Sequence, residues 1–162
     1  MCRRPSLAII WHSRTGAAHA AAKAVAHGAG DAALLLEAEQ ANPDHLLAAA
    51  GYVFVCPENL ASMSGLMKEM FDRCYYPLLG HVEGKAYATV ITAGSDGSGA
   101  QAQIDRIVTG WRLRRVAEPI IINCSAQTPE AILAPKVLSS SDIGRCQELG
   151  EALAEGIKLG IF

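Results

Sequence analysis

Five short apolar runs, each followed by a stretch of helical periodicity, restrict the folds open to this chain more than any other feature. Leu7–Trp11, Ala33–Leu36, Tyr52–Cys56, Ala86–Thr92 and Pro119–Asn123 read as strands, and several lack polar alternation, as strands covered on both faces do. Between and after them the spacing predicts helices over about Gly16–Ala29, Pro43–Ala50, Ser64–Tyr75, Gly99–Arg114 and Asp142–Leu159. Gly28 and Gly30 suit the C-terminal cap of the first helix. Strand-helix alternation throughout predicts an α/β fold, a doubly wound parallel sheet with helices on both faces. With no repeat or linker in view, residues 1–162 read as a single domain. One long irregular stretch, Cys124–Ser141, is rich in Pro, Ser and Ala, and a loop of that length is more often functional or a partner contact than slack.

Composition narrows the class of function. Net charge is −2, without a long run of either sign, which argues against nucleic acid as a partner. Arg112, Arg114 and Arg115 form the one close basic group late in the chain and read as a solvated helix end. Arg3 and Arg4 precede an apolar run too short for a signal peptide, and no segment approaches the roughly 18 apolar residues of a membrane span. Cys2, Cys56, Cys74, Cys124 and Cys146 are odd in number and widely spaced, with no zinc-binding grouping. Reduced thiols, no metal and a cytoplasmic location are the expectation.

The turn after the first strand tests which doubly wound fold this is. A dinucleotide-binding fold places G-x-G-x-x-G there, but the chain has only Gly16. The G-x-x-x-x-G-K-[ST] loop of nucleotide triphosphatases is absent. A phospho-receiver needs an aspartate ending the third strand, which instead ends Val55-Cys56-Pro57. A flavodoxin-like sheet, order 2-1-3-4-5, does fit, with its ligand at the switch between the first and third strands. Successive backbone N–H groups from Ser13 to Ala18 at the head of a helix suit an anion there, Ser13 and Thr15 add hydroxyls, and Gly16 permits close approach.

"SRTGAAHAAAKAVAHGA" after the first strand and "PENLASMSGLMKEMFDRCYYPL" after the third carry a resemblance. The chain resembles the flavodoxin-like quinone oxidoreductases and NADPH-dependent FMN reductases, whose usual patterns are approximately S-R-T-G-N-T and P-T-Y-F-G-S-M-S-G-x-M-K-x-F-x-D-R. The resemblance runs through nearly the whole chain in order of elements and is most specific from Pro57 to Tyr76. It implies FMN, a five-stranded sheet, and a homodimer or homotetramer. It implies a flavin phosphate at Ser13, Arg14, Thr15, Gly16, Ala17 and Ala18, and the isoalloxazine ring over Pro57, Glu58, Asn59, Leu60, Ala61, Ser62 and Met63. It also implies polar contacts to the ring or ribityl chain from the glycine-rich third loop: Ala93, Gly94, Ser95, Asp96 and Gly99.

The departures from the pattern are specific. Ala17 and Ala18 stand where the pattern has Asn and Thr, so two side-chain donors are lost. At roughly 0.5–1.5 kcal/mol per net hydrogen bond, and more to a charged acceptor, that weakens FMN binding tenfold or more unless His19 or Arg14 compensates. Glu58 reads as a solvated loop residue or as a charge opposing a reduced flavin, and Leu60 as packing on the flavin's dimethylbenzene edge. Met63, Met67 and Met70 read as core. His12, His81 and Tyr76 are candidate proton donors beside a pocket in which the flavin itself carries the hydride chemistry. Tyr75, Tyr76, Pro77 and Leu78 read as core or as a subunit contact.

The implied function is an FMN-dependent oxidoreductase moving electrons from NAD(P)H to a quinone or similar small-molecule acceptor. A flavodoxin-type electron carrier is the first alternative. A sequence pI of about 6.2 and the absence of aromatic residues from Pro57–Met63 and Thr92–Gly99 argue against it. A cofactor-free flavodoxin-fold binding protein is the second, kept open by Ala17, Ala18, Glu58 and Ala61.

Overall fold

Both faces of the sheet are buried, and the pleat of each strand divides its side chains between two cores. The structure, a computed structural model, describes residues 6–162. Arg3, Arg4 and Cys2 lie outside the described residues. The chain runs β1 (Leu7–Trp11), α1 (Ala17–Ala29), β2 (Ala33–Glu37), α2 (Pro43–Ala48), β3 (Gly51–Asn59), β4 (Ser62–Met63) and α3 (Gly65–Leu78). It continues through β5 (Ala86–Ala93), α4 (Ser98–Gly110), β6 (Arg114–Arg115), β7 (Ile120–Asn123), α5 (Pro129–Leu133) and α6 (Ser140–Lys158).

The parallel strands lie in the order β2-β1-β3-β5, with β6 and β7 both bonded to the outer edge of β5. The expected five-stranded order 2-1-3-4-5 is therefore present, its last strand broken in two. Pro119, which has no N–H to donate, stands just before the second piece. β4 is an addition, a short antiparallel return on the end of β3.

Ala8, Ile10, Tyr52, Phe54 and Cys56 face one core with α2, α3 and α4, while Leu7, Ile9, Val53 and Val55 face the other with α1 and α6. This is why the strand runs show no polar alternation. α1 meets α6 almost backbone to backbone. A Cβ on Gly28 would lie 1.9 Å from the Gln147 carbonyl oxygen, and one on Gly150 would lie 2.0 Å from that of Val25. The alanines of α1 and these two glycines are one packing solution, and they hold the head of α1 against the sheet.

Three expected boundaries differ. The fourth helix stops at Gly110 rather than Arg114, because Arg112 turns the chain at φ 57 and Arg114–Arg115 join the sheet. The arginine group is consequently no solvated helix end: Arg115 bonds Asp105 and lies over the Tyr87 ring at 5.4 Å. α3 continues through Pro77 to Leu78. The stretch Cys124–Ser141, expected to be irregular, contains α5 and the first residues of α6; α5 is started by the Thr128 hydroxyl, which accepts from the Ala131 N–H, with Pro129 at the first helical position.

Gly150→Ala is expected to lower stability by about 2 kcal/mol, the overpacking cost exceeding the gain in helix propensity. Gly144→Ala in the same helix, where an added Cβ meets nothing within 4 Å, is expected to be neutral or stabilising. Urea unfolding midpoints of the two variants check this pair of signs.

Candidate functional site

The strands deliver three loops to one edge of the sheet, and the first is the turn after β1. The His12 N–H donates to Val55 O at 3.1 Å, and the chain then leaves the sheet. Gly16, at φ 99, reverses it into α1, a conformation few other residues adopt without strain. The Ser13 hydroxyl accepts the Gly16 N–H at 3.1 Å. No side chain caps α1, and its first turn holds no acidic residue. The first amides of α1 therefore stand beside buried Ala17 and Ala18 with the positive end of the helix dipole behind them.

The second loop is a two-residue hairpin. Asn59 pairs with Ser62, so Leu60 and Ala61 form the turn, at φ 52 and 61. Two positive φ values are what this hairpin type requires, and positions usually held by Asn-Gly are here filled by residues that carry a Cβ. Leu60 is fully exposed at the tip.

Glu58 holds the hairpin down. Its carboxylate accepts the Gly97 N–H at 2.9 Å and the Ala100 N–H at 2.9 Å, so it fills the N-terminus of α4. It is not a solvated loop residue. The Gln103 amide oxygen accepts from the Ser62 hydroxyl at 2.8 Å and the Met63 N–H at 2.9 Å, tying down the other side. Gly99 is required by this docking, since a Cβ there would lie 2.3 Å from the Ala61 carbonyl oxygen. The starts of α1, α3 and α4 thus lie at the same edge, and α1 and α4 are opposites. One holds a carboxylate from within the protein, and the other holds none.

A cleft of about 1010 Å³ opens between these loops. Ser13, Arg14, Thr15, Ala17 and Ala18 line it from the turn, and Pro57, Glu58, Asn59, Leu60, Ser62 and Met63 line it from the hairpin. From the third loop only Ala93 and Gly94 do, together with Thr92. Gly16, Ala61, Ser95, Asp96 and Gly99 are not part of the lining. Ser95 offers its carbonyl to the Asn123 amide at 2.7 Å, and the Asp96 carboxylate accepts from the Ser98 hydroxyl at 2.6 Å.

The remaining wall was not expected. Cys124, Ala126, Ile132, Leu133 and Lys136 come from the segment between β7 and α6. The segment is strapped at both ends: the Ala126 N–H donates to Gly94 O at 2.9 Å, and the Lys136 N–H donates to Thr15 O at 2.8 Å. A Thr-Pro pair ahead of Glu130 and a lysine after the next proline are the signals that mark such a capped piece in sequence.

Of the two proposed compensators, Arg14 lines the cleft, whereas the His19 ring stacks on Trp11 with centroids 3.9 Å apart. Burial, and then the Lys23 charge, hold the His19 imidazole below its ordinary pKa. His12 bonds the buried Ser64 hydroxyl at 2.8 Å, and burial followed by the Arg14 charge lowers its pKa too. His81 and Tyr76 lie around the exposed end of α3, outside the lining. The Cys56 thiol is pushed up to about 12 by complete burial, and burial raises that of Cys124 as well. Among the described residues no group of His, Cys, Asp and Glu is arranged to hold a metal ion, and no helix is long and apolar enough to cross a membrane.

The sequence pattern that describes the NADPH-dependent FMN reductases matches residues 40–119. No curated protein sequence matches the chain. Among solved structures, a flavodoxin from the domain Archaea superposes with a TM-score of 0.76 at 17% identity, over 94% of this chain and 99% of its own. A flavodoxin, WrbA-like protein from Agrobacterium tumefaciens gives 0.72 at 18% identity, over 96% and 98%. The flavodiiron protein from Giardia intestinalis gives 0.77 at 16% identity, over 98% of this chain but 37% of its own. The fold is flavodoxin-like.

Glu58→Gln is expected to lower stability by about 2 kcal/mol, since an amide cannot accept both helix N–H groups as a carboxylate does. Chemical denaturation measures the loss, and an unchanged midpoint would mean that the hairpin holds without the carboxylate.

Proposed function

We propose, from the match of residues 40–119 to the NADPH-dependent FMN reductases and the flavodoxin-like fold, that the chain is an FMN-binding oxidoreductase of that family passing electrons from NAD(P)H to a quinone or similar small acceptor. The observation that carries the binding reading is the contrast between the two helix N-termini. α4 already receives the Glu58 carboxylate, whereas α1 presents uncapped amides to a cleft of about 1010 Å³. An anionic group of a ligand is therefore directed to α1. That volume stands at the upper end of the ~300–1,000 Å³ typical of small-molecule pockets. The residues present thus suit FMN, with its phosphate at one end of the cleft.

When bound, FMN supplies the hydride-accepting chemistry, and the chain's residues bind and orient it. Ser13 and Thr15 hydroxyls and the amides at the head of α1 hold the phosphate. The Pro57–Met63 hairpin, stiffened by Glu58 and Gln103, forms the rigid wall against which the ring is oriented. Leu60, Ile132 and Leu133 are exposed apolar surface on the cleft wall, and that surface supports an uncharged acceptor. No aromatic residue lines the cleft among the described residues, which supports an enzyme over a carrier that relies on aromatic stacking.

The proposal takes the chain as one domain working in the cytoplasm, with its cysteines reduced. Cys56, Cys74, Cys124 and Cys146 are free thiols, which supports that setting. It includes self-association: Tyr75, Tyr76 and Leu79 leave exposed apolar area at the end of α3. Light scattering at micromolar concentration is expected to give a dimer or tetramer mass, and a monomer mass overturns that part.

Titration with FMN, followed by flavin fluorescence, is expected to saturate. Gly16→Asp, which sets a carboxylate at the anion site and a Cβ at φ 99, is expected to abolish the saturation. NADPH oxidation by the loaded protein with a quinone is then expected to show ping-pong kinetics. Absence of saturable binding would leave a cofactor-free binding protein as the reading, and binding without NADPH turnover would leave a carrier.

A further inference from the structure

We infer that Lys136 is the cation that recognises the flavin phosphate, and that the Cys124–Lys136 strap thereby restores what Ala17 and Ala18 took away. The inference rests on the FMN reading above. Three observations lead to it. Lys136 lines the same cleft as Ser13, Arg14 and Thr15. Its backbone is fixed to the turn, because its N–H donates to Thr15 O at 2.8 Å and its carbonyl oxygen lies 3.8 Å from where a Gly16 Cβ would stand. Its ammonium meets only carbonyls, Ile132 O at 3.0 Å and Ala134 O at 2.6 Å.

The first and third observations are informative together. Arg115 and Lys68, also half-buried, are paired with Asp105 and Asp72, and half-buried Lys85, which meets only the carbonyls of Leu46, Leu47 and Ala49 at the end of α2, lies outside the cleft. Lys136 is half-buried beside the turn and makes no ion pair among the described residues. The start of α1, to which its backbone is tied, holds no acidic residue to serve it. An ammonium without an ion pair that shares a cleft with uncapped amides is a charge arrangement completed by an anion. Arg14 also lines the cleft but is exposed, so ordering it costs more side-chain entropy than ordering Lys136, whose stem is already held. A compact ammonium serves a phosphate as a point charge, without demanding a planar fork geometry.

The strap then reads FMN against its dephosphorylated form, since riboflavin carries the same ring and ribityl chain and no charge for Lys136 to meet. Binding of FMN and of riboflavin by the full chain is measured for the wild type, Lys136→Gln and Lys136→Arg. Lys136→Gln is expected to weaken FMN about tenfold, the scale of one charged hydrogen bond, and to leave riboflavin unchanged. Its FMN affinity is also expected to depend less on salt than the wild type's. Lys136→Arg is expected to keep most of the FMN affinity. Equal loss of FMN and riboflavin would make Lys136 a support for the strap only, and unchanged FMN binding would remove it from the site; either overturns the inference. A wild type that binds neither flavin defeats the underlying reading instead, and with it this one.

Discussion

A parallel sheet covered on both faces has nowhere to put chemistry except its ends, and the rest of this molecule follows from that constraint. Ile9 and Ile10, or Val53 and Phe54, are adjacent in the chain and buried in opposite cores. Polar side chains are thereby driven from the strands to the loops beyond them. Because the strands are parallel, the three loops at their C-terminal ends converge on one edge, and the crossing from β1 outward to β2 and inward to β3 opens a crevice between them. The close seating of α1 on α6, through Gly28 and Gly150, fixes how the first of those loops is aimed.

Two of the helices that begin at that edge, α4 and α1, are treated oppositely. The start of α4 is satisfied from within by Glu58, at the cost of placing an acidic residue in a cleft wall. The start of α1 receives only the Ser13 hydroxyl, on Gly16. A carboxylate at both sites would close α1 to an external anion. A carboxylate at neither would leave the hairpin unheld, because its turn residues Leu60 and Ala61 both sit at positive φ and bring no stability of their own. Glu58 therefore does two jobs with one pair of hydrogen bonds: it rigidifies the hairpin, and it leaves α1 as the place where an external anion is favoured.

These features were legible in sequence to different degrees. The five strands and the turn at Ser13–Gly16 could be read because their signals are local: an apolar run, then a glycine heading a helix. The role of Glu58 could not, since its amide partner on Gly97 lies 39 residues further on and only folding brings the two together. The early end of α4 depends on Arg112 adopting φ 57, which nothing in an arginine announces. Serine and aspartate in a glycine-rich loop suggest ligand contacts, yet the Asp96 carboxylate is spent on Ser98, and Ser95 gives its carbonyl to Asn123 outside the cleft lining. The strap was visible as a composition and not as a wall, because its anchors are backbone bonds to Gly94 and Thr15 that carry no side-chain signature.

The proposed donor on the strap differs from one on the turn by more than affinity. Donors at the head of α1 are preorganised, because Ala17 and Ala18 are 4% and 1% exposed and belong to the helix packed on the sheet. The strap is held at Ala126 and Lys136 and is largely exposed between them, Ile132 at 52% and Leu133 at 76%. Segments with few buried apolar contacts open more easily than the core they rest on. A ligand bound by both parts must draw the strap's cation and its exposed apolar residues into one arrangement. Part of its binding energy is then spent on ordering the very wall that separates it from water. On the proposed reading, the anionic end and the apolar face of the cleft are coupled through a single short segment, so that binding at one end stiffens the other.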